Sequence, residues 1–411
     1  MNEDDRWNKR REESLQRQQE SAQEPQQAQV DDLTSYMNPD MGVDISMPEI
    51  PVPMPPPAAA EKEDKNKDTC DVAFNFAFIG AGQGGSRLAE SFSKLGYKKL
   101  AVLNTAQQDL NTIKLVSNKL CIGDGGAGKN PDVAEKLFVD RKEDVLDFMY
   151  DSFGEAVDRI FVCAGAGGGS GAGTLCPLIE TAQEMQRGIK SPTDKVGVVL
   201  ALPKHSEGKK VNANAYATLV KVWDYVERGV VSPLVILDNE KINSLYPGLP
   251  VGPFWETANM SIAGLFHLFN HTASKDSTYS AFDSNDYKQV LDTGLIVFGA
   301  ATVDDWKTPS GISKTVRDNL KNNMLSGGVD LGTGNSAGVV IIGGQQILNE
   351  LPQQNLDRAF DQFSRILQKG SVVHRGIYSG NKPDLTVYTA IGGIQKPHAK
   401  LEELKKLGDL D

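Results

Sequence analysis

The sequence predicts an α/β protein: a Rossmann-like parallel sheet, then a long helix, then a smaller mixed α/β domain. Three observations carry that expectation. Apolar runs of strand length alternate with stretches of helical periodicity. Three glycine-rich loops each follow such a run and open such a stretch. A long apolar helix separates the half that carries these loops from a half that has none.

The loop at 164–174 constrains its own backbone most severely. It follows the apolar run Ile160-Phe161-Val162-Cys163 and precedes the helical pattern of 175–185. Glycines remove the β-carbons that keep a ligand from the main chain and allow positive φ, so that successive N–H groups converge on an anion. The following helix adds unpaired amides and the positive end of its dipole, and Ser170 and Thr174 add hydroxyls. No Gly-Lys-Ser/Thr ends the loop, so the ordinary P-loop lysine is missing. One such loop could simply let a strand and a helix pack closely. The second, at 80–87, follows the strand-like 72–79, and the third, at 123–131, follows 119–122. In a parallel sheet all three emerge at the carboxyl edge and converge on one ligand, as a phosphate cradle with several walls.

The second loop also fits Gly-x-Gly-x-x-Gly through Gly80, Gly82 and Gly85. A nicotinamide site wants an acid at the end of the next strand. That strand, 100–103, ends in Asn104-Thr105-Ala106, and Asp109 lies too deep in the following turn, which sets an oxidoreductase aside.

Further strands at 196–202 and 234–237 end in 203–208 and Asp238-Asn239, placed to take a ribose and a base. A helix from Phe254 to about Ala273 sets Ile262, Leu265, Phe266 and Phe269 on one face, and would span roughly 30 Å. Beyond it, 294–299, 337–342, 372–378 and 385–391 are strand-like, with helical patterns at 310–324 and 356–367. The expected division is a tail at 1–70, a loop-bearing domain at 71–253, the helix at 254–275, an assembly domain at 276–395 and a charged tail at 396–411 of one or two exposed helical turns. The first tail, with its proline-rich 47–57, is expected to be disordered, since it cannot bury enough apolar surface to offset chain entropy.

Composition narrows the function. A net charge of −11 without a long basic run argues against general nucleic-acid coating. No apolar segment approaches the roughly 20 residues of a membrane helix, and no signal-peptide core opens the chain. The four cysteines are scattered without metal spacing, as in a reduced cytoplasmic protein. His267 and His271 lie four apart but lack an acidic ligand pattern, so no metal site is expected there.

With these parts placed, residues 74–395 resemble the tubulin/FtsZ family of filament-forming GTPases. Gly167-Gly168-Gly169-Ser170-Gly171-Ala172-Gly173 resembles the signature Gly-Gly-Gly-Thr-Gly-Thr-Gly, with serine and alanine for the two threonines. Gly82-Gln83-Gly84-Gly85 is similar to the first nucleotide loop, Asn104-Thr105 to the second, and Ala127-Gly128 with Asn130-Pro131 to the third, which senses the γ-phosphate. The resemblance implies that these loops hold GTP or GDP, with Mg²⁺ on the phosphates. It also implies a ribose acid at Glu207, a base-side asparagine at Asn239, a stacking aromatic at Trp255 and a reader of the guanine edge at Asn259.

Phe282-Asp283-Ser284-Asn285-Asp286-Tyr287 resembles the family's synergy loop, aligned through Asp283 and Asp286. The resemblance makes these two the catalytic carboxylates: the loop enters the next subunit's site and orients the attacking water, so GTP is hydrolysed at a head-to-tail junction. Positioning and charge stabilisation suffice for phosphoryl transfer. Read without the family, the same residues are an acidic turn that caps a helix. The implied partners are further copies of the chain and an adaptor protein bound through a tail, with no direct nucleic acid. The implied roles are cell division or DNA segregation and positioning. Ala106, Val211 and Ala281 replace residues common in the family, which keeps a non-hydrolysing nucleotide-binding scaffold open as the alternative.

Overall fold

Strands of the first half are apolar at nearly every position rather than at alternate ones, the pattern of a parallel sheet covered on both faces. The computed structural model describes residues 70–322, 324–381 and 383–410; the expectations for 1–69 lie outside the described residues. In chain order these residues form β1 (Phe76–Ala81), α1 (Gly82–Ser93), β2 (Leu100–Asn104), α2 (Gln107–Asn111), β3 (Asn118–Cys121), α3 (Pro131–Asp140), α4 (Lys142–Phe153), β4 (Arg159–Gly165), α5 (Ser170–Gly188), β5 (Val196–Leu202), α6 (Lys209–Glu227), β6 (Val231–Asp238), α7 (Asn239–Leu245) and α8 (Val251–Thr272). Then follow α9 (Ser284–Leu291), β7 (Leu295–Thr302), α10 (Gly311–Asn322), β8 (Ser336–Gly344), α11 (Gln345–Glu350), α12 (Gln353–Ile366), β9 (Val372–Gly380), β10 (Leu385–Ile394) and α13 (His398–Leu407).

The ten strands form one sheet in the order β3-β2-β1-β4-β5-β6-β7-β10-β8-β9. From β3 to β7 all neighbours are parallel, while β10 runs antiparallel to both β7 and β8. The two halves meet along a short seam, with only Leu234 facing Leu295 and Val235 facing Ile296. From β1 the chain winds outward through β2 and β3; from β4 it winds the other way through β5 and β6. The loops after β1 and β4 therefore flank a topological switch point, where open α/β sheets bind their ligands.

An apolar core fills each face of the sheet. One is built around α8, whose Phe266 and Phe269 pack with Phe76, Phe78, Phe161 and Phe298. The sequence pattern marks one buried stripe on this helix, but residues 261–270 are buried on every side. Asn270 meets the polar demand of that burial by pairing with Phe74 of the segment leading into β1 and with the Tyr97 hydroxyl.

The chain's end departs from expectation. In place of one or two exposed turns, α13 is a ten-residue helix docked on α6, with Lys400, Leu401 and Leu404 buried. Lys400 Nζ lies 2.8 Å from Asp238 Oδ2, at the end of β6. Burial lowers the Lys400 pKa, but the charge of Asp238 and hydrogen bonds to Asp238 and Glu403 outweigh it and leave the value raised. A charged sequence conceals this docking because Lys400 finds its partner 162 residues upstream.

Candidate functional site

Two helices begin where two central strands end. Gly82 starts α1 with φ of +67°, and a β-carbon there would lie 2.6 Å from the Gly171 amide nitrogen at the start of α5. The first and principal glycine loops are thus in direct contact, and both helices aim unpaired N-terminal amides at one place. A cavity of about 420 Å³ opens there, within the size range of cofactor sites. Its walls include Gly82, Gln83 and Gly84 from the first loop, Ala127 and Gly128 from the third, and Gly167, Gly168, Gly169, Ser170 and Gly171 from the principal one. Glu207, Asn239, Trp255 and Asn259 complete it from the other side. The three loops converge, as the sequence predicts.

Two expected residues stand behind the wall. Gly85 is packed against β4, where a β-carbon would lie 2.9 Å from the Ala164 α-carbon. Asn104 is fully buried: its Oδ1 accepts from Thr105 N at 2.8 Å, and its Nδ2 donates to Asp109 Oδ2 at 3.1 Å. Asn104 shapes the cavity by holding Asp109. Asp109 itself is one of the residues that line the cavity.

Arg87 and Lys129 also line the cavity and supply positive charge in place of a P-loop lysine. Arg87 is half-buried in the second turn of α1; Lys129 sits at φ of +58°, a left-handed conformation seldom taken by a residue with a side chain. An arginine after a glycine loop was a legible signal for the first; nothing in the sequence marks the second.

The other groups fit a purine nucleotide. Trp255 offers an aromatic face, with Lys204 Nζ 5.5 Å from its ring centroid and 4.7 Å from that of Phe254. Glu207 is fixed by the Lys204 amide, which donates to its Oε1 at 2.7 Å. Asn239 is only 6% exposed and its Oδ1 has no partner among the described residues, a buried acceptor that a bound molecule would satisfy. Ser170 Oγ and Thr105 Oγ1 lie 2.7 Å apart at the start of α5. No cluster of three metal-ligating side chains occurs among the described residues, so a divalent ion here would be carried chiefly by phosphate oxygens, as suits Mg²⁺.

Asp283 and Asp286 do not line this cavity. They form a reciprocal cap on α9, with Asp286 N donating to Asp283 Oδ1 at 2.9 Å and Asp283 N to Asp286 Oδ2 at 3.3 Å. The loop before them is tied to the far end of α8: the Tyr378 hydroxyl donates to Thr272 O at 3.1 Å and accepts from Phe282 N at 2.8 Å. Because Trp255 and Asn259 in the first half of α8 line the cavity, the helix separates the two features by roughly 20–25 Å at about 1.5 Å per residue.

Residues 75–247 match the family model described as Tubulin/FtsZ family, GTPase domain. Over that stretch the chain is similar to the GTPase domain of the tubulin/FtsZ family. It is 27% identical over 244 residues to the tubulin-like protein TubZ of Bacillus cereus, a match that spans 54% of this chain and 54% of that relative. It is 26% identical over 333 residues to the tubulin-like protein CetZ of Pyrococcus horikoshii, covering 77% of this chain and 84% of that one. In fold it is similar to the TubZ of Bacillus thuringiensis serovar israelensis, solved as a GTPγS-form protofilament. The TM-score is 0.72 at 18% identity, over 83% of this chain and 92% of that one. The family model ends after α7, so it takes in the glycine loops, Glu207 and Asn239, while Trp255, Asn259 and the two aspartates lie beyond it.

The remaining chemistry-bearing groups are accounted for by packing. None of the four cysteines is joined in a disulfide; burial pushes the Cys176 thiol up to about 11 and Cys163 higher still, which disfavours the thiolate at both. His267 stacks near His271, and burial, with the charge of His271, pulls it down to about 4. No described helix is long and apolar enough to cross a membrane.

Proposed function

We propose that the protein binds GTP in this cavity, assembles head to tail, and hydrolyses the nucleotide where one copy's Asp283 and Asp286 meet the next copy's cavity. The separation along α8 carries the reading. The acidic pair is too far from its own cavity to act there, whereas a copy stacked end to end would present it to the phosphates. Such a contact does not close on itself and propagates into a filament.

Within the cavity, the amides at the starts of α1 and α5 take the phosphates, joined by Ser170 and by the cations Arg87 and Lys129. Mg²⁺, when bound, neutralises charge on the phosphates. Glu207 takes the ribose, Trp255 stacks on the base, and Asn239 and Asn259 bond its edge. The unpaired Asn239 Oδ1 favours guanine, whose N1–H and amino group are donors, over adenine, whose N1 accepts. The neighbouring copy's carboxylates then hold a water against the γ-phosphate. Support comes from the TubZ protofilament, a GTPγS form of a protein with this fold.

A second reading, a nucleotide-binding scaffold without turnover, draws on the capping box, which gives both aspartates a structural duty. Phosphate release measured against protein concentration separates the two. The proposal expects release per molecule to switch on above a threshold concentration and to vanish in D283N, with GTP binding retained. Release proportional to concentration at all dilutions would place the chemistry within one copy; no release would leave the scaffold.

A further inference from the structure

On β9, His374, Gly376 and Tyr378 alternate along one face of the strand, as residues two apart must. All three meet the loop that carries the acidic pair. The Tyr378 hydroxyl binds Phe282 N and O. Gly376 leaves room for Phe282, since a β-carbon there would lie 2.7 Å from the Phe282 β-carbon; Gly338 on β8 does the same for its ring, at 3.1 Å. His374, paired with that glycine in the β8–β9 register, places Nδ1 2.7 Å from Asp286 Oδ1. It is 9% exposed, and its Nε2 is buried without a partner among the described residues.

The two carboxylates are consequently unequal. Asp286 has Oδ1 on His374 and Oδ2 on the Asp283 amide. Asp283 is exposed and spends one oxygen, Oδ1, on the Asp286 amide; Oδ2 accepts no hydrogen bond from the described residues. We infer that His374 is a positioning residue. It locks Asp286, and through the reciprocal cap it fixes Asp283 as well, so both carboxylates keep their places when they meet the nucleotide of the adjoining copy. This rests on the proposed hydrolysis between copies.

The test compares two substitutions at position 374 in the full chain, with GTP and Mg²⁺. Asparagine sets its amide nitrogen where Nδ1 stands and keeps the bond to Asp286; glutamine fills more of the space but sets its nitrogen where Nε2 stands. We expect H374Q to lose about tenfold or more in turnover per filament subunit, since misaiming by about 1 Å suffices for that, and H374N to recover most of it. D283N and D286N should each lose about 100-fold or more. GTP affinity and the threshold concentration should match wild type in H374Q, because the cavity lies at the other end. A purely space-filling histidine would give the opposite order, glutamine tolerated and asparagine not, and would overturn the inference, as would turnover in H374Q equal to wild type. Absence of turnover in the wild type itself would overturn the parent reading and this one together.

Discussion

Gly168 and Gly173 lie five residues apart in one loop and helix, yet an added methyl should act on different properties at each. At Gly173 a β-carbon would lie 2.8 Å from the Pro131 carbonyl carbon, nearer still to its oxygen, and 2.9 Å from the Ala134 β-carbon. None of these atoms is the end of a flexible chain, so α3 has to move. Overpacking of this kind costs about 1–3 kcal/mol, and with backbone as the obstacle the upper end applies. At roughly 2–4 °C per kcal/mol, G173A should melt about 6 °C or more below wild type. At Gly168 a β-carbon meets nothing within 4 Å, and its φ is outside the left-handed region. Stability of G168A should stay within about 0.5 kcal/mol of wild type. Because Gly168 lines the cavity, the methyl instead stands where a phosphate oxygen would approach the main chain. Nucleotide affinity should fall about tenfold or more, a loss of at least about 1.4 kcal/mol. Thermal melts without nucleotide, and GTP titrations read by the fluorescence of Trp255, measure the two effects. A G168A protein that binds GTP like wild type would refute the phosphate cradle; a G173A protein that melts like wild type would refute the packing argument.

Other consequences concern the supports of the site. K400M breaks a pair whose side chains are 6% and 2% exposed, but Asp238 keeps the amides of Glu240, Lys241 and Gly327, so the cost should be near the lower end for buried pairs, about 3 kcal/mol by denaturant unfolding. Since the folded Lys400 pKa is raised, this contribution is complete below the unfolded lysine value of about 10.4 and fades as pH rises through the folded one; a K400M deficit unchanged well above that range would contradict the pair. For His267 the sign reverses. Its folded value of about 4 lies below the unfolded value of about 6.5, so stability falls by about 3 kcal/mol as pH drops between them. H267F should flatten that decline, and a decline equal to wild type would show that His267 does not titrate there. W255F should abolish the fluorescence change on nucleotide binding, while a residual change of full size would assign it to one of the other three tryptophans, Trp7, Trp223 or Trp306.

How much could be read beforehand follows from where the information lies. The loops at 80–87, 123–131 and 164–174 were legible because each is local: strand, glycines and helix follow one another in the chain, and a parallel sheet brings their ends together. Asn104 was placed in the right loop but not in its role, since its amide spends its bonds on Asp109 and two backbone amides, a choice that only the folded turn reveals. Arg87 carries a legible signal, a cation just after a glycine loop, whereas Lys129 acquires its direction from a left-handed backbone that its sequence does not announce. The docking of α13 was illegible for another reason: a lysine among lysines gives no hint that one of them is buried against Asp238. His374 is likewise a lone histidine in a strand pattern, and its meaning comes from Asp286, 88 residues earlier.

A filament grown with GTPγS and imaged at side-chain resolution puts the central arrangement to its most direct trial. The account predicts a nucleotide between the starts of α1 and α5 of one subunit and the Asp283 carboxylate of its neighbour facing the terminal phosphate. A filament in which Asp283 faces solvent, or in which the cavity is closed off by its own chain, would contradict it.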